Sequence, residues 1–415
     1  MTPYPKMVKV RQKFNRPIIN NVMEEVYRKF NQEKIQQSIH PGANVAIAVG
    51  SRGIANLKDV VIAIVNKVKE RGGVPFLVPA MGSHGGATAK GQEDILRDFG
   101  FGPDEIGAPI HSSMEVVQIG TVEENIPVYF DRLASEADAI IVINRVKPHT
   151  NFKSDIESGI FKMMTVGLGK QKGASVIHSH GIYGLKHLIP TMGELILEKM
   201  PIAFGLALVE NAYDETAIIE AIVPDELMET EKRLLIQAKA MMPSLPSDKI
   251  DILLVEEMGK NISGTGMDPN IIGRIYVLGQ EEPEHPNIKY ISVLDLTLES
   301  HGNATGIGYA DLTTQRLVDK MDLNAMYTNL ITAVFPNLAK IPITLQTEQE
   351  VVDVAIKFME PVSVENISIV RIRNTLALHE IEVSEVLWDV IKNNSNFEKI
   401  SNPTEMMFNN QRELQ

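Results

Sequence analysis

Short apolar runs and amphipathic segments alternate in the first half of the chain, and this order predicts strands and helices in turn. NVAIAVG, from Asn44, and VPFLVPA, from Val74, are apolar runs typical of buried strands. Between them, LKDVVIAIVNKVKE has apolar residues at helical spacing and is followed by two glycines that suit a helix end. Another apolar run, from Ala139 to Asn144, predicts a third strand. This order indicates a βαβ unit and a largely parallel sheet.

Two polar loops follow predicted strands directly. MGSHGGA follows the strand that begins at Val74, and RVKPHTNF follows the strand that begins at Ala139. Thr88 is a suitable N-cap for the next predicted helix, AKGQEDILRDFG. Ligands of parallel α/β sheets bind beyond the carboxyl ends of strands, so we expect both loops to face one crevice.

The segment SLPSDK separates a Met-rich helical stretch from a new apolar strand, IDILLVEEM, and predicts a domain boundary. We expect an N-terminal α/β domain over 1–247 and a C-terminal α/β domain over 248–392. The polar tail, 393–415, is expected to be loose or to pack on the first domain. In the second domain, IIGRIYVLG and YISVLDLT are predicted as strands, and a helix is predicted around Gln315 to Met321. The predicted fold class is α/β, with two α/β domains, mostly parallel sheets and the active site in the interdomain cleft.

The composition is that of a globular protein that does not span a membrane. Apolar residues make up 44% of the chain and charged residues 22%, and no apolar run approaches the roughly 18 residues of a spanning helix. The first residues contain cations without an apolar stretch of about 7–15 residues behind them, so no secretory signal is expected. These features predict a cytoplasmic location.

Charge and cysteine content exclude several classes of function. A formal net charge of −13 disfavours nucleic acid as a partner and favours a small-molecule ligand. The chain has no cysteine, which excludes disulfides, thiolate metal sites and cysteine nucleophiles. Any metal must therefore be held by histidine, by carboxylates or by a cofactor.

Four of the ten histidines, His84, His149, His178 and His180, lie in polar or glycine-containing segments. A single histidine is more often a hydrogen-bonded structural residue than a functional one. His84 and His149, however, lie in the loops that follow predicted strands. With a reference pKa near 6.5, either imidazole could take a hydroxyl proton at neutral pH and return it.

Lys162 and the glycine-rich GLGKQKG lie between His149 and His178. ESGIFKM places Lys162 among apolar residues, where an amine has a lowered pKa and becomes nucleophilic; the alternative is a salt-bridged or surface lysine. GLGKQKG lacks the third glycine of a dinucleotide fingerprint and is not a Walker loop.

The order of these residues resembles the nickel-pincer-nucleotide lactate racemase family. The shared features are an arginine after the first strand, a histidine in a glycine-rich loop, a Pro-His after a later strand, a lysine after Ser-Gly and a histidine sixteen residues further on. In this chain they are Arg52, His84, His149, Lys162 and His178. The resemblance covers roughly residues 52 to 178 and is weaker in the second half.

The resemblance implies a cofactor and a role for each residue. Lys162 would carry the pyridinium-3,5-bisthiocarboxylic acid mononucleotide, whose carbon and two sulfurs bind nickel, and His178 would be the only protein ligand of the metal, a donor set that suits planar nickel. His84 and His149 would be the acid and base, and Arg52 the active-site arginine, although GSRGIAN departs from the family's Asp-x-x-Arg-Pro pattern. The implied activity is racemisation or epimerisation of a 2-hydroxy acid by proton-coupled hydride transfer. The implied partners are that acid and the proteins that make the cofactor.

The substrate-binding half of the family pattern is altered here. Where lactate racemases have a pattern resembling D-x-N-x-Y-Q-x-x-K, this chain has Asp268 and Asn270 but Ile272 and Gly273 in place of Tyr and Gln. Arg274 is the nearest cation and is the candidate fork for a substrate carboxylate; a surface arginine on a strand is the alternative. We therefore expect a substrate other than lactate.

Two other functions are compatible with the residues. In a zinc hydrolase or lyase, His84, His149 and His178 would hold the metal and Glu157 would act as the base. In a non-catalytic carrier, the chain would bind the cofactor without turnover. Metal content and exchange of the substrate α-hydrogen distinguish the three.

Overall fold

The computed structural model describes residues 4–51 and 53–415. The chain forms two compact units, which we name by their place in the sequence: the middle unit, residues 15–242, and the terminal unit, residues 1–14 with 243–415. Both contain strands and helices, so the predicted α/β class with two such units is confirmed.

Strand β1 (Lys6–Gln12) belongs to the terminal unit and precedes the middle unit in the chain. The strands of the middle unit are β2 (Asn44–Val49), β3 (Val74–Pro79), β4 (Val116–Val122), β5 (Ile126–Asp131), β6 (Ala139–Arg145), β7 (Ile202–Glu210) and β8 (Thr216–Ile222). Its helices are α1 (Val22–Phe30), α2 (Glu33–Gln37), α3 (Leu57–Glu70), α4 (Ala89–Asp98), α5 (Pro103–Ile106), α6 (Arg132–Ser135), α7 (Ile160–Lys162), α8 (Lys170–Ser179), α9 (Gly181–Tyr183), α10 (Ile189–Lys199) and α11 (Leu227–Met241).

The main sheet of the middle unit has the order β3-β2-β6-β7-β8, and all its pairs are parallel except β7 with β8. Its strands are apolar on both faces because both faces are covered. Ala46 and Ala48 of β2 join a core with Phe161 and Ile177, whereas Val45 on the opposite face joins a core formed with α1 and α3. This two-sided burial explains why the strands read as continuous apolar runs.

The remaining strands of the terminal unit are β9 (Lys249–Val255), β10 (Asn287–Val293), β11 (Leu312–Thr314), β12 (Ile343–Leu345), β13 (Ile369–Ile372), β14 (Glu380–Ser384), β15 (Phe397–Lys399) and β16 (Thr404–Glu405). Its helices are α12 (Pro269–Ile272), α13 (Gln315–Asp319), α14 (Leu323–Ala333), α15 (Glu348–Lys357) and α16 (Glu385–Ile391). The sheet order is β12-β11-β10-β9-β13-β14-β1-β15, with β16 also on β1. The pairs from β12 to β13 are parallel, and those involving β14, β1, β15 and β16 are antiparallel.

The division differs from the predicted domains at both ends of the chain. The sequence predicted domains over 1–247 and 248–392 with a separate tail, 393–415. In the structure, β1 pairs with β14, β15 and β16, so the first residues and the tail share one sheet with 243–392. Residues 8–12 alternate between buried and exposed positions as a strand does, but such a pattern does not say which strand pairs with which, and the sequence therefore could not show this pairing.

The prediction of a strand at IIGRIYVLG is wrong. Its first residues belong to the short helix α12, whose N-cap, Asp268, accepts a hydrogen bond from the Asn270 amide at 2.9 Å. The backbone then has positive φ at Gly273 and at Tyr276, which is incompatible with a continuous strand. The amides of Ile275 and Tyr276 bind the Glu282 carboxylate instead of a neighbouring strand.

Candidate active site

The candidate residues of the middle unit lie on loops that leave three neighbouring strands. The strands β3, β2 and β6 are adjacent and parallel, so their carboxyl ends meet at one edge of the sheet. The loop after β2 contains Ser51, the loop after β3 contains His84, and the loop after β6 contains His149. The predicted convergence of loops at the carboxyl edge thus follows from the strand order.

His84 occupies an exposed position in a loop that is fixed at both ends. Its amide donates to the Met81 carbonyl oxygen at 3.1 Å, and Thr88, the predicted N-cap of α4, accepts from the Gly91 amide at 3.0 Å. The imidazole Nδ1 of His84 makes a short contact with the Ser51 hydroxyl, so the loops after β2 and β3 touch. Arg52, the predicted active-site arginine that follows Ser51, lies outside the described residues.

His149 is held from both its backbone and its ring. Its amide donates to Glu157 at 2.6 Å, and its ring packs on Phe152 with centroids 4.5 Å apart. The Asn151 amide donates to Nδ1 at 3.0 Å, which occupies that lone pair and leaves the ring proton of neutral His149 on Nε2. Burial first, and then the charge of Lys162, lower the pKa of His149 well below its usual value near 6.5. His149 is therefore neutral at physiological pH.

Lys162 is the last residue of α7 and lies between the buried Phe161 and Met163, as the apolar sequence around it predicted. A π-helical turn over Met163–Gly167 follows it, a local irregularity that recurs at functional sites. His178 lies in the last turn of α8 and remains accessible to solvent. Although part of the side chain reaches solvent, desolvation by the surrounding protein lowers the pKa of His178, and the charge of Lys162 lowers it further.

These electrostatic effects show which side chains the fold brings together. The Lys162 ammonium influences both His149 and His178, and His178 influences His149. Such influence requires the groups to be close, because charge interactions through solvent fade within about 10 Å. His149, Lys162 and His178 therefore lie near enough for their charges to interact, and we call these three residues the cluster.

The His84 loop lies against the π-helical turn that follows Lys162. The Gly82 amide donates to the Gly167 carbonyl oxygen at 3.1 Å. A side-chain carbon on Gly167 would lie 2.8 Å from the Ala80 carbonyl oxygen, so the two backbones approach too closely for any residue but glycine. The fold therefore places the His84 loop beside the turn that carries Lys162.

Arg274, predicted to bind a substrate carboxylate, has other partners in the terminal unit. Its guanidinium forms an ion pair with Asp311 at 2.8 Å and donates to the carbonyl oxygens of Tyr309, Ile288 and Lys289. The residue is 8% exposed. A guanidinium engaged in this way organises the loops around it, and a substrate carboxylate would have to displace some of these partners in order to bind.

Glu157, the base of the hydrolase alternative, is also fully engaged. Its buried carboxylate accepts from the amides of His149 and Ser154 and forms an ion pair with Lys239 at 2.7 Å. A carboxylate fixed by three donors orders the His149 loop. Within the described ranges, no three His, Asp or Glu side chains are grouped as a metal site would require.

The sequence did not single out three further residues near the cluster. Glu231 of α11 accepts from the amides of Ile160 and Phe161 and so anchors the start of the helix that carries Lys162. Lys170 donates a hydrogen bond to Gln92, and Gln92 donates to carbonyl oxygens of the His84 loop. The sequence could have indicated that Glu231 is buried, because its spacing from Leu227, Leu234 and Leu235 places it on the apolar face of its helix. No comparable pattern indicates that Gln92 is buried.

Two comparisons with known proteins find a similar domain and a similar fold. Residues 6–183 match the family model of the lactate racemase N-terminal domain, a span that contains His84, His149, Lys162 and His178. The fold is similar to that of the lactate racemase apoprotein from Thermoanaerobacterium thermosaccharolyticum, with a TM-score of 0.56 and 12% sequence identity, over 90% of this chain and 99% of that one.

A sequence comparison with curated proteins finds no match. None of the helices in the described ranges is long and apolar enough to cross a membrane. Residues 6–183 are thus similar to the lactate racemase N-terminal domain, and the chain as a whole shares the fold of a lactate racemase apoprotein.

Proposed function

We propose that this protein is a racemase or epimerase of a 2-hydroxy acid that uses a nickel-pincer nucleotide. The observation that supports it most directly is the cluster of His149, Lys162 and His178, in which one lysine charge acts on two imidazoles. The His84 loop lies against the same lysine-bearing segment. A covalent anchor, a metal ligand and two proton carriers are the parts that this chemistry needs.

The donor set of the cluster fits the cofactor. Lys162 would hold the mononucleotide through its amine, and His178, with a lowered pKa, would present a neutral imidazole to nickel. The buried neighbours Phe161 and Met163 limit water around the lysine. When bound, the cofactor supplies a centre that accepts the α-hydrogen of the substrate as hydride and returns it.

His84 and His149 would handle the hydroxyl proton, and the structure distinguishes their starting states. With its Nδ1 lone pair occupied by the Asn151 amide, neutral His149 presents an Nε2 proton and can donate a hydrogen bond to a substrate oxygen. To accept a proton at Nε2, it must first release that amide and change tautomer. The Ser51 hydroxyl that contacts His84 Nδ1 can either donate or accept a hydrogen bond, so this contact is compatible with both tautomers of His84, and we assign His84 the base role in the first half of the reaction.

Several parts of the proposal rest on the family resemblance. Arg52 would contact the substrate carboxylate, as a guanidinium matches that group in two hydrogen bonds. The 2-hydroxy acid would be a small molecule other than lactate. Cofactor biosynthesis proteins would load Lys162 in the cytoplasm.

The test is racemisation in deuterated water by protein produced together with the cofactor pathway. A single enantiomer of each candidate 2-hydroxy acid should racemise without gaining deuterium at the α-carbon, because that hydrogen leaves and returns as hydride. His84→Ala and His149→Ala should each lose turnover and keep nickel. His40→Ala, which changes an exposed histidine before β2 at the opposite edge of the sheet, is the control and should retain turnover.

Two outcomes would contradict the proposal. Deuterium at the α-carbon would show proton abstraction in place of hydride transfer. Loaded protein that racemises none of a broad panel of 2-hydroxy acids would favour a carrier. If His84→Ala or His149→Ala loses nickel, the division of roles among the histidines is wrong.

A further inference from the structure

The ammonium group of Lys170 is buried completely and lies close to three oxygen atoms from different elements. Nζ donates to the Pro79 carbonyl oxygen at the end of β3 and to Gln92 Oε1 at 3.1 Å, and it forms an ion pair with Asp131 Oδ2 at 3.2 Å. Both charged side chains of the Lys170–Asp131 pair are 0% exposed. Two hydrogen bonds and one ion pair, to β3, α4 and β5, fix the position of the ammonium.

Gln92 transmits this position to the His84 loop. Its Oε1 accepts from Lys170, so its two amide protons point the other way. Nε2 donates to the carbonyl oxygens of Gly82 at 2.9 Å and of His84 at 3.3 Å. Gln92 is fully buried, and the orientation of its amide is therefore set by Lys170 on one side and by the loop on the other.

The backbone of Lys170 begins α8, the helix that carries His178. Its φ is +52°, a left-handed conformation that disfavours a lysine. Burying an ammonium is also unfavourable unless it is paired and hydrogen-bonded. A glycine would avoid both costs and an apolar residue would avoid the second, so we infer that lysine is present here for its directed contacts.

We propose that Lys170 and Gln92 are positioning residues that set the His84 loop relative to α8, and thereby His84 relative to His178. The roles of those two histidines rest on the proposed function, whereas the mechanical link between the loop and the helix does not. In this arrangement the buried Lys170 is linked to the loop of the proposed acid/base residue, His84, through Gln92. It also lies on the same helix as the proposed metal ligand, His178.

The discriminating variant is Gln92→Glu. Glutamate keeps the acceptor for Lys170 but has no proton for the carbonyl oxygens of Gly82 and His84, so it breaks only the link to the loop. Gln171→Glu is the matched control, because Gln171 is an exposed neighbour of Lys170 on α8.

The first readout is amide hydrogen exchange in protein without cofactor. In Gln92→Glu, residues 82–88 should exchange roughly tenfold faster or more, as expected for the loss of two hydrogen bonds, while α8 and β3 keep their protection. If Gln92→Glu does not fold, the double variant Lys170→Met with Asp131→Leu replaces it. That pair removes both buried charges together and should release the same loop.

The second readout is turnover of the loaded enzyme. Gln92→Glu should lower kcat roughly tenfold to a hundredfold at unchanged KM and nickel content, since a displacement of about 1 Å in a catalytic group has effects of this size. Unchanged exchange of residues 82–88 in the folded variants would overturn the positioning role, whatever the activity. Residues 82–88 could exchange faster in Gln92→Glu while the loaded wild-type protein racemises no 2-hydroxy acid. This result would support the positioning role and refute the proposed function.

Discussion

Glu231 should make the middle unit less stable as the pH rises from 4.5 to about 7. Its carboxylate is buried, Oε2 accepts from the amides of Ile160 at 2.7 Å and Phe161 at 3.2 Å, and Oε1 has no hydrogen-bond partner among the described residues. Burial raises the pKa of Glu231 from 4.5 to about 7, although the two amides act in the opposite direction. The perturbation that tests this is Glu231→Gln.

The sign follows from proton binding. Between pH 4.5 and 7 the folded protein keeps the Glu231 proton and the unfolded chain loses it, so the free energy of unfolding falls as the pH rises across this window. A shift from 4.5 to about 7 corresponds to a loss of at most about 3 kcal/mol, complete above pH 7. Glutamine has no such proton, and the variant should lack this component of the pH dependence.

The assay is urea unfolding at pH values from 4 to 8, followed by circular dichroism. The single tryptophan, Trp388, lies in α16 of the terminal unit. Its fluorescence therefore reports the unfolding of the terminal unit and distinguishes it from the unfolding of the middle unit. Glu229→Gln is the control, because that side chain lies on the same helix and is 81% exposed. The difference in the free energy of unfolding between wild type and Glu231→Gln should change by up to about 3 kcal/mol between pH 4 and 8. If the free energy of unfolding depends on pH in the same way in both proteins, Glu231 does not titrate as expected.

Three further substitutions test local contacts. Thr88→Ala removes the N-cap of α4 and should lower the free energy of unfolding by about 1 kcal/mol in urea; an unchanged midpoint would contradict the cap. Gly193→Ala places a carbon 2.2 Å from the Phe161 ring and should cost roughly 1–3 kcal/mol, measured in the same way, unless the ring moves freely. Arg274→Met should cost roughly 2 kcal/mol by leaving Asp311 without its partner, with KM for the 2-hydroxy acid unchanged; a raised KM at unchanged stability would restore the carboxylate-binding role.

The sequence predicted the middle unit well because its elements depend on local patterns. The strands β2, β3 and β6 lie where continuous apolar runs predicted them, since both faces of their sheet are buried. The helix α4 begins after Thr88 as its capping residue indicated. These features need only the neighbouring residues, which is why one sequence was sufficient.

Long-range contacts were beyond the sequence. The pairing of β1 with strands at the other end of the chain and the partners of Arg274 depend on residues far away in the chain. The residues of the candidate site could be chosen by order and context, but the shared charge of Lys162 on His149 and His178 required the folded chain. Gln92 is an ordinary helical glutamine in the sequence, and only the folded chain shows that it joins the buried Lys170 to the His84 loop.

Intact mass and nickel content of the protein produced with the cofactor pathway test the central claim most directly. The account predicts a covalent mass increment on the peptide that contains Lys162, with nickel bound, and the loss of both in Lys162→Ala. Lys172→Ala, which changes an exposed lysine on α8, should retain both. Mass increment and nickel that persist in Lys162→Ala would contradict the assignment of Lys162 as the anchor and, with it, the proposed chemistry of the site.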